Sequence, residues 1–196
     1  EETRVLWIRG KESNETVMDR LGEIQVPTLV TAGRYDFLFP PEHQAILADR
    51  LIERLGARVI WTWGPGELET VQEIAGTMRH DSVIAERISL RQLAELFRRA
   101  ALFVGSDSGP MHIACFVKTP AVVIYGPTDP VVNAPYQHSR FIVLSKDVSC
   151  NPCRIRDCSR VDCMNAITPE EVFNAAALLL SGPKAYPAAV GQQVSQ

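Results

Sequence analysis

Ala100-Ala101-Leu102-Phe103-Val104-Gly105-Ser106-Asp107-Ser108-Gly109-Pro110-Met111-His112 passes from an apolar run through a small-residue turn into a helix start. The apolar part predicts a strand over 101–105, and the part after Gly109 a helix to about Phe116. At such a junction free backbone N–H groups and the positive end of the helix dipole converge on one point, an anion site. Pro110 suits the first helical turn, where its missing N–H costs nothing. A nucleotide-linked substrate matches this geometry. The same turn carries the Asp107 carboxylate, the Ser108 hydroxyl and the His112 imidazole, so it offers more than a phosphate cradle. Plainer readings stand beside this one. Gly109 could serve only a tight turn, and His112 could be a satisfied histidine at the edge of a core.

Outward from this junction the pattern alternates. Pro27–Gly33 reads as a buried strand ending in a turn, Pro41–Leu55 as an amphipathic helix closed by Gly56, and Arg58–Trp63 as a strand closed by Gly64-Pro65-Gly66. A helix follows over Glu67–Met78, then a short strand near Val83-Ile84. Ser89 with Gln92 three residues on forms a capping box for a helix ending near Arg99. Strands follow at Ala121–Tyr125 and Phe141–Leu144, and Thr168-Pro169-Glu170-Glu171 caps a last helix to about Leu180. Strands alternating with helices of this length predict an α/β fold, a doubly wound, parallel, Rossmann-like sheet. Ligands then bind at the carboxyl ends of the strands. Three loops should meet on that edge: Gly33-Arg34, Gly64 to Glu67, and Gly105 to His112. Residues 1–25 form a weakly patterned extension with one strand candidate, Val5–Ile8. Residues 26–181 form the domain, and 182–196 read as a disordered tail.

The chain has 196 residues, 46% of them hydrophobic and 22% charged, with a net charge of -3. No basic stripe interleaved with aromatics points to nucleic acid. The longest apolar runs, such as Ala175–Leu180, are too short to span a bilayer. No signal-peptide pattern is read, so a cytoplasmic protein is expected.

An ordered set of motifs spans about two thirds of the chain: Leu47-Ala48-Asp49-Arg50-Leu51, Gly64-Pro65-Gly66-Glu67, Ser89–Ala94, Gly105–Ala114, Thr119–Val123, Gly126-Pro127-Thr128-Asp129-Pro130, a cysteine loop, and Ile167–Val172. From about residue 48 to 180 the chain thereby resembles glycosyltransferase family 9, the ADP-heptose:lipopolysaccharide heptosyltransferases. The resemblance implies half of a GT-B enzyme, the donor-binding half. It places Ser108 and Gly109 at the donor diphosphate, Asp107 at sugar hydroxyls, His112 near the sugar phosphate and Glu67 at the nucleoside ribose. Backbone amides at a helix start can hold a pyrophosphate without a metal, so no cofactor is required for donor binding. It also implies inverting transfer of a heptose or related sugar to a lipopolysaccharide core acceptor. The acceptor site and general base would belong to a first domain, and the exposed domain interface would favour self-association into a homo-oligomer.

Residues 19–47 carry a second likeness. Val26–Asp36 with Pro40-Pro41-Glu42-His43 resembles a late strand–helix unit of an α/β-hydrolase of the proline-iminopeptidase type, with Asp36 as its triad acid. On that likeness the chain reads as a chimera, with a hydrolase unit over 26–47 joined to a transferase part over 48–181. Arg34 is then the substitute for the basic residue that heptosyltransferases place after this strand. Gly105-Ser106-Asp107-Ser108-Gly109 nearly spells a nucleophile elbow, but Asp107 stands where the serine should be. An inert scaffold and a hydrolase remnant are the competing readings.

Cys150, Cys153, Cys158 and Cys163 follow C-x2-C-x4-C-x4-C. Four thiols so spaced suit a structural, tetrahedral Zn²⁺. An iron–sulfur cluster, four reduced thiols and two disulfides are the alternatives, the first with a spacing that matches neither common ferredoxin pattern. Cys115 reads as a small buried hydrophobe. Trp61 and Trp63 read as core, or as a wall of a nucleoside pocket. Arg154, Arg156 and Arg160, balanced by Asp157 and Asp162, read as a solvated loop face in preference to an anion site.

Overall fold

Each short apolar run alternates its side chains between two faces, and both faces here are apolar, which demands a cover on each side. The computed structural model describes the backbone of residues 28–31 and residues 39–135, 140–155 and 158–181. The elements run β1 Thr28–Thr31, α1 Pro41–Leu55, β2 Arg58–Trp61, α2 Leu68–Thr77, β3 Val83–Ile84, α3 Leu90–Arg99, β4 Leu102–Ser106, α4 Gly109–Phe116, β5 Ala121–Tyr125, β6 Phe141–Ser145, α5 Asp162–Asn165 and α6 Pro169–Ser181. All strand pairings are parallel, in the order β3-β2-β1-β4-β5-β6. Strand order reverses at β1 and β4, so a crevice is expected outside their carboxyl ends.

Two cores result. Val59 and Trp61 of β2, Leu102 and Val104 of β4, and Val122 and Ile124 of β5 pack under α1, α2 and α6. The intervening Ile60, Phe103, Ala121, Val123 and Tyr125 pack under α3 and α4. Arg50 on α1 meets Glu170 on α6 at 2.6 Å. Asp49, buried in α1, accepts the Arg79 and His80 backbone N–H groups at 3.0–3.1 Å and so fixes the chain leaving α2. Gly56 ends α1 in the left-handed conformation (φ 61°), its N–H bonded to Ile52, the region glycine enters without a Cβ penalty. At α3 the expected capping box is present, Ser89 Oγ receiving the Gln92 N–H and Gln92 Oε1 the Ser89 N–H.

The doubly wound parallel sheet is as expected. β2 stops at Trp61, earlier than expected. Trp61 is core, its Nε1 donating to Ser82 Oγ at 3.0 Å, and the half-buried Trp63 donates to the Ala85 carbonyl at 2.6 Å. Trp61 is therefore committed to packing, and Trp63 packs against the same core with part of its ring exposed. The short helix α5 inside the cysteine segment carries no periodicity long enough to reveal it in sequence. The extension over 1–25, Arg34, Asp36 and the tail over 182–196 lie outside the described residues.

Candidate functional site

The site is built on the turn after β4. Asp107 follows the last β4 residue, with its side chain only 12% exposed. Its Oδ2 accepts the Asn133 side-chain N–H at 2.8 Å. Asn133 is itself held by Tyr125 at the end of β5, whose hydroxyl donates to the Asn133 carbonyl at 2.6 Å. Burial, reinforced by the nearby Asp107 and Cys115 charges, pushes the Tyr125 phenol well above its usual range. It therefore stays a protonated donor. The turn Asp129-Pro130 bends the chain so that Asn133 reaches back: Asp129 Oδ1 accepts the Val131 N–H at 2.8 Å, and its carbonyl accepts the Asn133 N–H at 3.0 Å. One bond from Asn133 leaves Asp107 with lone pairs to accept from a ligand's hydroxyls. His112 Nε2 stands 3.9 Å from Asp107 Oδ1, with the ring half exposed.

At the start of α4 two features have no internal explanation. Ser108 is the N-cap, yet its side chain makes no capping bond. Its Oγ is buried (residue 8% exposed) and has no hydrogen-bond partner among the described residues. A buried hydroxyl without a partner costs on the order of 1–3 kcal/mol, so an external group that pairs with it is favoured. Gly109 lies next to it, exposed, with a φ outside the left-handed region. A Cβ built there would meet nothing within 4 Å. The fold does not need glycine at this position, so the tight-turn reading fails and open space for a ligand remains. The Gly109 and Met111 N–H groups lie in the first helical turn, where no carbonyl one turn back can accept them.

A cleft of about 330 Å³ opens from these strand ends, lined by Ser106, Asp107, Thr128, Asn133, Arg154 and Met164, with apolar walls from Ile124 and Val132. Its far wall is the cysteine segment. A Cβ on Gly126 would sit 2.6 Å from Met164 Sδ and 3.2 Å from Cys163 Sγ, so glycine at this position lets α5 seat against the end of β5. Cys163 and Met164 are core residues. Cys150 is exposed, and Cys153 and Cys158 are intermediate. All four are free thiols, and among the described residues no group of three or more His, Cys, Asp or Glu side chains gathers as metal ligands would. Burial, with the Cys150 and Cys153 charges nearby, pushes the Cys163 thiol up. The zinc expectation thus rests on spacing alone. Cys115 is fully buried in the second core, as expected.

The solvated-face reading of the arginines divides. Arg160 pairs with Asp162 at the surface; Arg154 is exposed too but also lines the cleft, and Arg156 and Asp157 lie outside the described residues. Glu67 is 3% exposed and does not line this cleft; its Oε2 accepts the Gly64 N–H at 2.5 Å and ties its own loop. Asp107, Ser108, Gly109 and His112 are therefore brought together, Glu67 sits on the β2 side of the sheet edge, and Arg34 lies outside the described residues. Asn133 and Tyr125 escaped the sequence reading, and Arg154 entered it only as part of the basic cluster of the cysteine loop. The Asp129-Pro130 turn was the available signal for Asn133, and the basic cluster of the cysteine loop was the signal for Arg154.

The family model for glycosyltransferase family 9 (heptosyltransferase) matches residues 26–163. Lipooligosaccharide heptosyltransferase 2 of Campylobacter jejuni subsp. jejuni serotype O:2 is 28% identical over 128 residues, 62% of this chain and 40% of that protein. A glycosyl transferase family 9 structure from Veillonella parvula aligns at 31% identity with a TM-score of 0.67, covering 79% of this chain and 46% of its own. The ADP-heptose lps heptosyltransferase II structure of E. coli has the same fold, with a TM-score of 0.68 at 23% identity, covering 80% and 47%. The chain thus spans less than half the length of each. The family match takes in residues 26–47 without a break, and none of these comparisons supports the hydrolase likeness of that unit.

Proposed function

We propose, because this chain belongs to glycosyltransferase family 9, that its described domain is the donor half of a heptosyltransferase and binds a nucleoside-diphosphate sugar of the ADP-heptose kind. The observation that carries this reading is the start of α4: a buried, unpartnered Ser108 hydroxyl beside an exposed Gly109 whose Cα faces open space. Hydroxyl and first-turn N–H groups suit a diphosphate. Asp107, oriented by Asn133, would take hydrogen bonds from sugar hydroxyls, and His112 beside it would meet the sugar phosphate. Glu67 would reach the ribose only if its bond to Gly64 were released or shared.

In the transfer, an acceptor oxygen forms a bond to the anomeric carbon while the bond from that carbon to the diphosphate breaks. The electron pair leaves with the nucleoside diphosphate, and the acceptor's proton goes to a base outside this domain. The contribution of this domain is to hold the sugar in line and to spread the negative charge growing on the diphosphate over α4's N-terminus. The acceptor, a lipopolysaccharide core, and a cytoplasmic setting belong to the same proposal. Among the described residues no helix is long and apolar enough to cross a membrane.

Calorimetric titration with ADP, using UDP and GDP as controls, tests the reading. Saturable ADP binding is expected, and Gly109→Val should weaken it by about tenfold or more, ~1.4 kcal/mol. Because a Cβ at Gly109 meets no protein atom, the variant should melt with the unaltered chain. A folded chain that binds none of the three nucleotides would overturn the proposal.

A further inference from the structure

A nucleoside diphosphate brings more negative charge to the start of α4 than that helix end can balance. A helix N-terminus supplies only about half a charge, and the Asp107 carboxylate, which lines the cleft just before that helix, opposes an anion. The cleft needs a cation. Of the described residues that line it, only Arg154 carries a positive charge, and Arg34 lies outside the described residues. Among the described residues its guanidinium has no carboxylate partner. Several other arginines of the domain are paired with carboxylates, such as Arg160 with Asp162, Arg98 and Arg99 with Glu95, and Arg50 with Glu170.

The backbone sets where this cation stands. Arg154 N–H donates to the Pro127 carbonyl at 2.7 Å, and Arg154 itself is left-handed (φ 56°). The segment is anchored downstream by α5, whose Met164 and Cys163 close over Gly126. Arg154, on the segment beyond β6 that is bonded to the turn continuing β5, thereby lines the same cleft as Asp107. A left-handed arginine is a strained choice where glycine would be relaxed, which points to a use for the side chain.

We infer that Arg154 is a cation of the donor site, its guanidinium hydrogen-bonding the phosphate oxygens of the departing nucleoside diphosphate. This rests on the donor-half reading above. The planar fork can take two phosphate oxygens at once, and it would meet the group on which charge accumulates as the sugar leaves. The cysteine segment then has a functional purpose in the fold: it carries the cation to the strand edge from beyond β6.

Titration of the unaltered chain and of Arg154→Gly, Arg154→Gln and Arg154→Lys with ADP and with adenosine tests this. Arg154→Gly removes the cation while suiting the left-handed backbone, so loss of fold should not intervene, and melting curves check that. The glycine and glutamine variants should bind ADP about tenfold or more weakly with adenosine unchanged, and lysine should recover part of the loss. Inorganic pyrophosphate should displace ADP from the unaltered chain and compete less well in the glycine variant. ADP affinities within about twofold of the unaltered chain would overturn the inference and leave the donor-half reading standing. Equal losses for ADP and adenosine would also overturn it, since they would report pocket shape instead of charge. No ADP binding by the unaltered chain would remove both.

Discussion

At the scale of single residues, the site depends on one chain of hydrogen bonds: Tyr125 hydroxyl to Asn133 carbonyl, and Asn133 amide to Asp107. Tyr125→Phe would leave the carbonyl without its donor, at a cost of about 1–3 kcal/mol. The Asn133 loop should loosen and ADP-heptose affinity should fall more than ADP affinity, because Asp107 is the group assigned to the sugar. Chemical denaturation and calorimetry on the same variant check both parts. Equal losses for the two ligands would show that Asn133 does not act through Asp107. Asp49 is a useful contrast. Buried and bonded to the Arg79 and His80 backbone, it is a structural carboxylate far from the cleft, and Asp49→Ala should lower stability by about 2–3 kcal/mol with nucleotide affinity unchanged in whatever fraction stays folded.

At the scale of elements, α5 and α6 show how a segment without strong patterning is placed by its neighbours. Gly126→Ala puts a methyl carbon into Met164 and Cys163. An overpacking cost of about 1–3 kcal/mol is expected, and adding Met164→Ala should return part of it. A double-mutant cycle measures the coupling; additive effects would mean that α5 does not bear on this turn. For α6, Thr168 Oγ1 receives the Glu171 N–H, and the Glu171 carboxylate accepts the Thr168 N–H and a bond from Lys146. Burial pushes the Glu171 carboxyl up, but the bonds from Lys146 and Thr168 outweigh it and hold the group below its ordinary value of 4.5. A carboxyl depressed in the folded state stabilises the fold above its ordinary value, and that contribution is lost as pH falls through the folded value. Glu171→Gln should therefore lower Tm at neutral pH and flatten the loss of stability below about pH 5. A parallel decline in both proteins would sink this assignment.

At the scale of the whole molecule, the described residues form a doubly wound sheet with the candidate site on one edge, and the chain covers less than half the length of the transferases it resembles. A general base contributes about 10²–10⁴-fold to such reactions. The isolated chain should therefore transfer heptose at least about a hundredfold more slowly than a complete family member, while still binding the donor. Turnover at a comparable rate would show that the base lies within this chain.

Much of this was legible in sequence for a physical reason: periodicity, caps and turn residues are local. The bounds of α1, the Ser89 capping box and the strand–turn–helix at Asp107 to His112 follow from neighbours within a few positions, and the ordered motifs were enough to suggest the family. Long-range proximity was not legible. Asn133 on Asp107, Gly126 under Met164, and Arg154 on the wall of the cleft join residues separated by one or more strands, and no local pattern encodes them. Tertiary structure also removed meanings that sequence left open. It consigned Trp61 to packing and showed that Gly109 is free of any backbone demand. Local chemistry decided which elements form. The parallel sheet, by bringing separate loops to one edge, decided which side chains share a site.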